Sequence, residues 1–272
     1  MARRATIIEQ LRQKNPNTLL VEAGNWAETK NPAYNQQITD FVFHVMQRLQ
    51  YDAVTLGVEE LKYGVRHYES LAKGTPAILI SNVRDARDGK REPVGQGMLI
   101  RELSGVRVGV FGLVGRDTPS QKENNGRDYV LEEEVDIAKS VVTQLREEGC
   151  EIIILLAQLA PSDVNKVIRA VPGIDIAILG FRPGLRKGPS VAGETIIVRT
   201  GFRGQYFGQL ELVVDPNGEV IEFSGTTIPV SKKFEKEPAT RKLVVEMRAK
   251  ISPFQQEEEA GGRVRSRMNN GE

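Results

Sequence analysis

The chain has 272 residues, 40% of them apolar, with 37 basic against 36 acidic side chains, two histidines and one cysteine. That apolar fraction over that length supplies a sizeable core, and the near balance of charge leaves no global field to draw the chain onto nucleic acid or an anionic membrane. A lone cysteine excludes an internal disulfide framework, two histidines exclude histidine-rich metal chemistry, and no run approaches the length of a membrane span.

In chain order, residues 5–14 place Ile7, Ile8 and Leu11 at helical spacing, and N-P-N-T then breaks the helix before a strand over 19–23. Residues 32–49 read as a long amphipathic helix with Ile38, Phe41, Val42, Val45, Met46 and Leu49 on one side. His44 within it, and His67 within a second helix over 65–72, read as ordinary helix histidines. The run D-A-V-T-L from Asp52 is a strand that stops at Gly57, so Val58-Glu59-Glu60 stand at the carboxyl edge of a sheet, where α/β proteins keep their sites. A buried strand over 76–81 follows, closed by S-N-V.

Residues 98–113 form a hairpin around S-G-V, whose second strand carries Gly109 and Gly112 where neighbours approach closely. The polar stretch 115–129 reads as an exposed loop. A helix over 131–147 is stopped by Gly149, and Cys150, a buried and inert thiol, precedes a strand over 151–156. Next come a helix over 162–171 and a buried strand over 174–179. Strands over 195–200, 208–214 and 219–228 follow, the last two joined by a D-P-N-G turn, and then a helix over 237–251. One domain is expected over 1–252, and 253–272 has the composition of a disordered tail. Strands alternating with helices, then an antiparallel close, indicate an α/β protein of two sheets in a sandwich with helices outside.

The segment 52–64, D-A-V-T-L-G-V-E-E-L-K-Y-G, resembles the T-L-G-N-H-E-F-D-Y-G segment of the calcineurin-like metallophosphoesterases, in the amino-terminal domain of their 5′-nucleotidase and UDP-sugar hydrolase branch. Gly57, Glu60, Tyr63 and Gly64 match. The family's metal-ligating Asn is Val58 here, and the His that assists the leaving group is Glu59. The strand end V-E-A-G-N-W puts Asn25 where the family has a metal-bridging Asp, and Asn82 stands at a family Asn while fitting a plain turn residue equally well. L-L-A-Q-L-A-P carries Gln158 in place of a ligating His, and the family's Gly-His-x-His is Gly180-Phe181-Arg182-Pro183. The run T-G-F-R-G-Q-Y-F-G-Q-L is similar to the glycine-rich segment that follows. The family's first motif, a strand carrying Asp-x-His, should lie upstream of Ala2 and is absent from this chain, and the family's separate carboxy-terminal domain, which holds the nucleoside, is missing from it.

The resemblance covers residues 2–232 and implies a four-layer α-β-β-α sandwich of two mixed sheets flanked by helices. Intact members use two divalent metal ions and are mostly exported, which implies the periplasm or cell exterior. An amide offers one neutral oxygen where a bridging carboxylate offers two anionic ones, so Asn25 is a poor substitute. Phe181 and Pro183 have no ligating atom, and Arg182 brings a permanent positive charge to the place of the cations. The expectation is therefore a pseudoenzyme without a cofactor, binding an unknown protein partner or a small anion and no nucleic acid. One alternative is a metal-dependent hydrolase with altered ligands drawn from Asn25, Glu59, Glu60, Asn82 and Gln158. Another is an anion-binding module using Arg182 or Arg203, with Arg186 and Lys187 as solvated neighbours. Arg182 is expected to contact Glu59 or Glu60, since an unpaired guanidinium is costly to bury.

Overall fold

The computed structural model describes residues 1–27, 34–69, 71, 74–89, 91–115, 128–181 and 184–269. Helix α1 (Ala2–Lys14) leads into strand β1 (Val21–Glu22), and α2 (Asn35–Arg48) into β2 (Ala53–Thr55). Two short helices, α3 (Val58–Leu61) and α4 (Val65–Glu69), precede β3 (Ala77–Leu79), β4 (Val83–Asp85) and β5 (Glu92–Pro93). The hairpin β6 (Met98–Leu103) and β7 (Val106–Val114) follows, then β8 (Tyr129–Leu131), α5 (Glu134–Glu147), β9 (Ile152–Gln158), α6 (Pro161–Ala170) and β10 (Ile176–Leu179). The chain ends in β11 (Ser190–Ala192), β12 (Thr195–Val198), β13 (Tyr206–Val214), β14 (Val220–Pro229) and α7 (Pro238–Asn269).

Two main sheets face each other. Strands β1, β2 and β3 pair in parallel, and the larger sheet runs β11-β12-β10-β9-β7-β6, parallel at its centre and antiparallel at both edges. Alternation along each strand sends successive side chains into different layers. From β9, Ile153 and Leu155 join α5 and α6 residues such as Leu145 and Val167, whereas Ile154 and Leu156 meet Ala53, Ala77 and Leu79 of the smaller sheet. On that sheet's other face, Val54 and Ile78 pack with Ile8 of α1 and Phe43 and Met46 of α2. The order is helices, sheet, sheet, helices, which is the expected four-layer α/β sandwich. The hairpin β13-β14 and a small antiparallel sheet β5-β4-β8 complete it.

The glycines of β7 explain how the layers close. A Cβ on Gly109 would come within 2.8 Å of Leu145 on the helix side, and one on Gly112 would overlap the Leu79 carbonyl and lie 3.0 Å from Thr55 Cβ on the sheet side. Both faces of the strand lean on missing side chains.

Several boundaries differ from the sequence expectation. The first helix begins at Ala2, and the last runs on through Pro253 to Asn269 instead of stopping at 251. The loop expected over 115–129 closes in strand β8, and its residues 116–127 lie outside the described ones. The buried side of α2 includes Phe43 and Thr39, both absent from the face read off the sequence, while His44 is exposed as expected of a plain helix histidine.

Candidate functional site

The ends of β1, β2, β9 and β10 meet between the two sheets. Gly24 (φ +83°) and Asn25 (φ +57°) turn the chain sharply through the left-handed region after β1, which glycine adopts freely and asparagine tolerates. That turn aims the Asn25 and Ala27 N–H groups at α3. There Glu60, the third residue of the helix and fully buried, reaches back across the helix start: its Oε2 accepts from Gly57 N at 2.6 Å and Asn25 N at 2.9 Å, and its Oε1 accepts from Ala27 N. Burial pushes the Glu60 pKa up to about 7, against the lowering effect of those backbone N–H groups.

Gln158, the last residue of β9, has no exposed surface and sits on the face turned to the smaller sheet. Its Nε2 donates to the Ala23 carbonyl at the end of β1, and its Oε1 is buried with no donor among the described residues. The two neighbouring turns make room for it. A Cβ on Gly24 would stand 2.8 Å from Gln158 Cγ, and one on Gly180, just past β10, would overlap both Ala23 O and Gln158 Nε2. Gly57 is similarly constrained, since a Cβ there would overlap Asn25 Oδ1.

Of the positions singled out in the sequence, Asn25 lies against Glu59 and Glu60, and Gln158 lies against the neighbouring Ala23 and Gly24. Asn25 Oδ1 accepts weakly from Glu59 N at 3.4 Å, and the Glu59 carboxylate takes Lys62 Nζ at 2.7 Å on the surface. Val58 is buried in the apolar cluster beneath the smaller sheet, and Phe181 packs partly buried against the same cluster. Asn82 serves as a stitch instead: its Nδ2 donates to Val114 O at 2.8 Å and Glu132 O at 3.3 Å, while its Oδ1 accepts from Val114 N at 3.0 Å. Arg203 lies exposed in a turn at φ +59°. Arg182 and Pro183 lie outside the described residues, and the expected Arg182 contact with Glu59 or Glu60 lies there too.

Sequence reasoning missed the backbone partners of Glu60 and the wedge made by Gln158. The available signal was the set of glycines, Gly24, Gly57 and Gly180, each at a strand end. His67, read as bland, links two helices: its Nε2 lies 2.6 Å from Asp40 Oδ1 and its Nδ1 3.0 Å from Gln36 Nε2. Trp26 packs on Phe43 with ring centroids 5.7 Å apart and meets Tyr68 in a T-shaped contact at 6.1 Å, its Nε1 donating to Thr55 O at 3.3 Å.

The donor chemistry of this cluster does not suit a pair of divalent ions. Hard cations and zinc take carboxylates and imidazoles, and here the positions offer two amides, a valine, the Glu59 carboxylate held by Lys62 at the surface, and the Glu60 carboxylate whose two oxygens hold three N–H groups. Among the described residues no group of three His, Cys, Asp or Glu is placed to hold a metal ion.

No protein-family model matches the chain. It is 25% identical to a snake venom 5′-nucleotidase of Naja atra, over 95% of this chain and 53% of that protein. Among solved structures it superposes on a 5′-nucleotidase precursor from Thermus thermophilus with a TM-score of 0.81 at 21% identity, covering 94% of this chain and 54% of that one. The calcineurin-like phosphoesterase YfkN from Bacillus subtilis gives a TM-score of 0.77 at 25% identity, over 93% and 90% of the two chains. The chain spans about half the length of the 5′-nucleotidases it matches.

Proposed function

The relatives and structural neighbours of this chain being 5′-nucleotidases and calcineurin-like phosphoesterases, we propose that it is a pseudoenzyme of that kind, a phosphoesterase scaffold kept as a binding or structural module without a dinuclear metal site. The observation that carries this is the commitment of the donors. Gln158 stands where the resembled motif has a ligating histidine, and its amide is buried against the Ala23 carbonyl. Two-metal phosphoester hydrolysis needs the ions both to generate the nucleophile and to hold the phosphoryl oxygens, and the residues at these positions supply no substitute for either task.

A protein partner or a small anion is the ligand class in this reading. Among the described residues no helix is long and apolar enough to cross a membrane. Export is carried over from relatives such as the venom enzyme and the precursor protein.

The test is elemental analysis of the purified chain together with assays on phosphomonoesters, nucleotides and UDP-sugars in added zinc or manganese. The expected result is less than stoichiometric metal and no turnover above background. One tightly held ion per chain, or a metal-dependent rate abolished by Asn25→Ala or Glu59→Ala, would promote the hydrolase reading in its place.

A further inference from the structure

The smaller sheet and the hairpin β13-β14 occupy one layer without being joined. Along β13, Leu210 and Leu212 pack between the sheets with Val21 of β1, and Phe207, on the other face, packs among the residues beneath α1 and α2. The hairpin lies on the β1 side. A Cβ on Gly204, just before β13, would come 2.8 Å from Arg4 Nη2, and Arg4 Nη1 donates to Glu22 Oε2 at 3.2 Å. Within the hairpin β13 is the strand nearer β1, because Gly208 stands against Thr200 at the end of β12, whereas Gly225 of β14 stands against Pro189 ahead of the edge strand β11. Among the described residues no ladder joins β1 to β13. Both backbones face that seam. The Leu20 carbonyl accepts from Asp52 N on the β2 side, so Val21 presents its N–H and C=O to the other side. The Gln205 carbonyl accepts from Val230 N, so Gly208, Leu210 and Leu212 present theirs away from β14. The floor of the seam is incompletely covered as well: Ile178 and Val198, register partners in the larger sheet, are half-buried, while the preceding pair Ile176 and Ile196 is buried.

We propose that this seam takes an extended strand of about five residues from a second polypeptide, parallel to β1 and antiparallel to β13 and apolar on both faces. The directions follow from the neighbours. Gln158 at the end of β9 reaches the Ala23 carbonyl at the end of β1, so β1 runs with β9, β10 and β12, and β13 sets out from the end of β12 in the opposite sense. Any extended chain satisfies the unpaired groups through its own backbone, which is how an open sheet edge captures a strand. The side chains select. Ile178 and Val198 lie on one face, and on the other lies α1, whose Ala5 and Ile8 share the cluster that Phe207 joins, so polar residues would be desolvated on either side. The strand is foreign because the described residues have none to spare: Met1 already packs against the α1 cluster, and after β14 the chain passes to α7, which packs on α1. The proposal rests on the binding-module part of the proposed function and names the partner; it does not depend on whether a metal binds.

The test selects a phage-displayed library of random peptides, each of about twelve residues, on the full chain, and then follows residue-resolved hydrogen exchange of the chain with the most enriched peptide added as a synthetic compound. Enriched sequences are expected to share a proline-free run of about five apolar, largely β-branched residues. Saturating peptide should slow exchange at Val21, Gly208, Leu210 and Leu212 by about tenfold or more and leave Ile154, at the centre of the larger sheet, within about twofold. N-methylation of alternate residues in the run should weaken binding by about tenfold or more, since it removes the donors that pair with the edges. Val198→Lys, which sets a charge on the floor of the seam, should do the same. Should Val198→Lys fail to fold, Val198→Thr, nearly the same shape, is read for a loss of about threefold. The proposal is overturned by a library that yields no enrichment, by enriched peptides that leave those amides unchanged, or by a monomeric chain in which they are protected without peptide. A dimer in sedimentation with the same amides protected also overturns it and puts a second copy in the seam. All of these leave the metal-free reading to its own metal analysis and assays, and a metal-bearing chain that still takes the peptide would remove that reading while keeping this one.

Discussion

Glu60 carries a pH dependence of definite sign. Burial raises its pKa in the folded chain from the ordinary 4.5 to about 7, so between those values the folded protein holds a proton that the unfolded chain has released. The stability contributed this way is complete below about 4.5, is lost as the pH rises through about 7, and is level above. Urea unfolding should therefore show the unaltered chain losing up to about 3 kcal/mol more than Glu60→Gln between about pH 4.5 and 7.5. Parallel pH profiles for the two would mean that Glu60 is not titrating there. Glu59 is the contrasting neighbour. Its bond to Lys62 joins partly exposed side chains, so Glu59→Ala should cost less than about 1 kcal/mol in the same assay, and a larger loss would point to a buried partner. The sequence displays Glu60 as a motif match, but its role depends on amides more than thirty residues away and follows only from the turn at Gly24 and Asn25.

At the scale of elements, periodicity found the helices on either side of the sandwich and the buried strands β2, β3, β7, β9 and β10. It also marked Gly109 and Gly112 as places of close approach, which they are. Gly112→Ala should cost about 3 kcal/mol or more, because the added methyl meets the Leu79 backbone and Thr55 between the sheets, where neither can yield easily. A chemical denaturation midpoint close to that of the parent would show the two sheets to be more loosely packed than described. The short strands β4, β5 and β8 escaped notice, since two or three residues carry too little alternation to register. The face of α2 was also misjudged: Phe43 is buried beside Trp26, whose position depends on the turn after β1.

For the whole molecule, the layer order was legible because each layer has its own hydrophobic period, and the resemblance supplied the same architecture. The closed cluster between the sheets was not, since it arises from main-chain groups that every residue possesses and from side chains that are missing at Gly24, Gly57 and Gly180. The division of the core has a consequence in time. Buried residues beneath α1 and α2 come mostly from the chain up to Val94, and those beneath α5 and α6 run only from Phe111 to Leu179. Each half of the chain can therefore collapse onto its own helices before the two sheets meet, and the docking step buries the third cluster last. Pulse-labelled exchange during refolding should find the amides of β7 and β9, which share a long register, protected before those of β2 and β3. Protection of all four strands in one phase would mean that neither half gathers itself without the other. A staggered order would make the join between the sheets, where the candidate site lies, the last part of the molecule to exist.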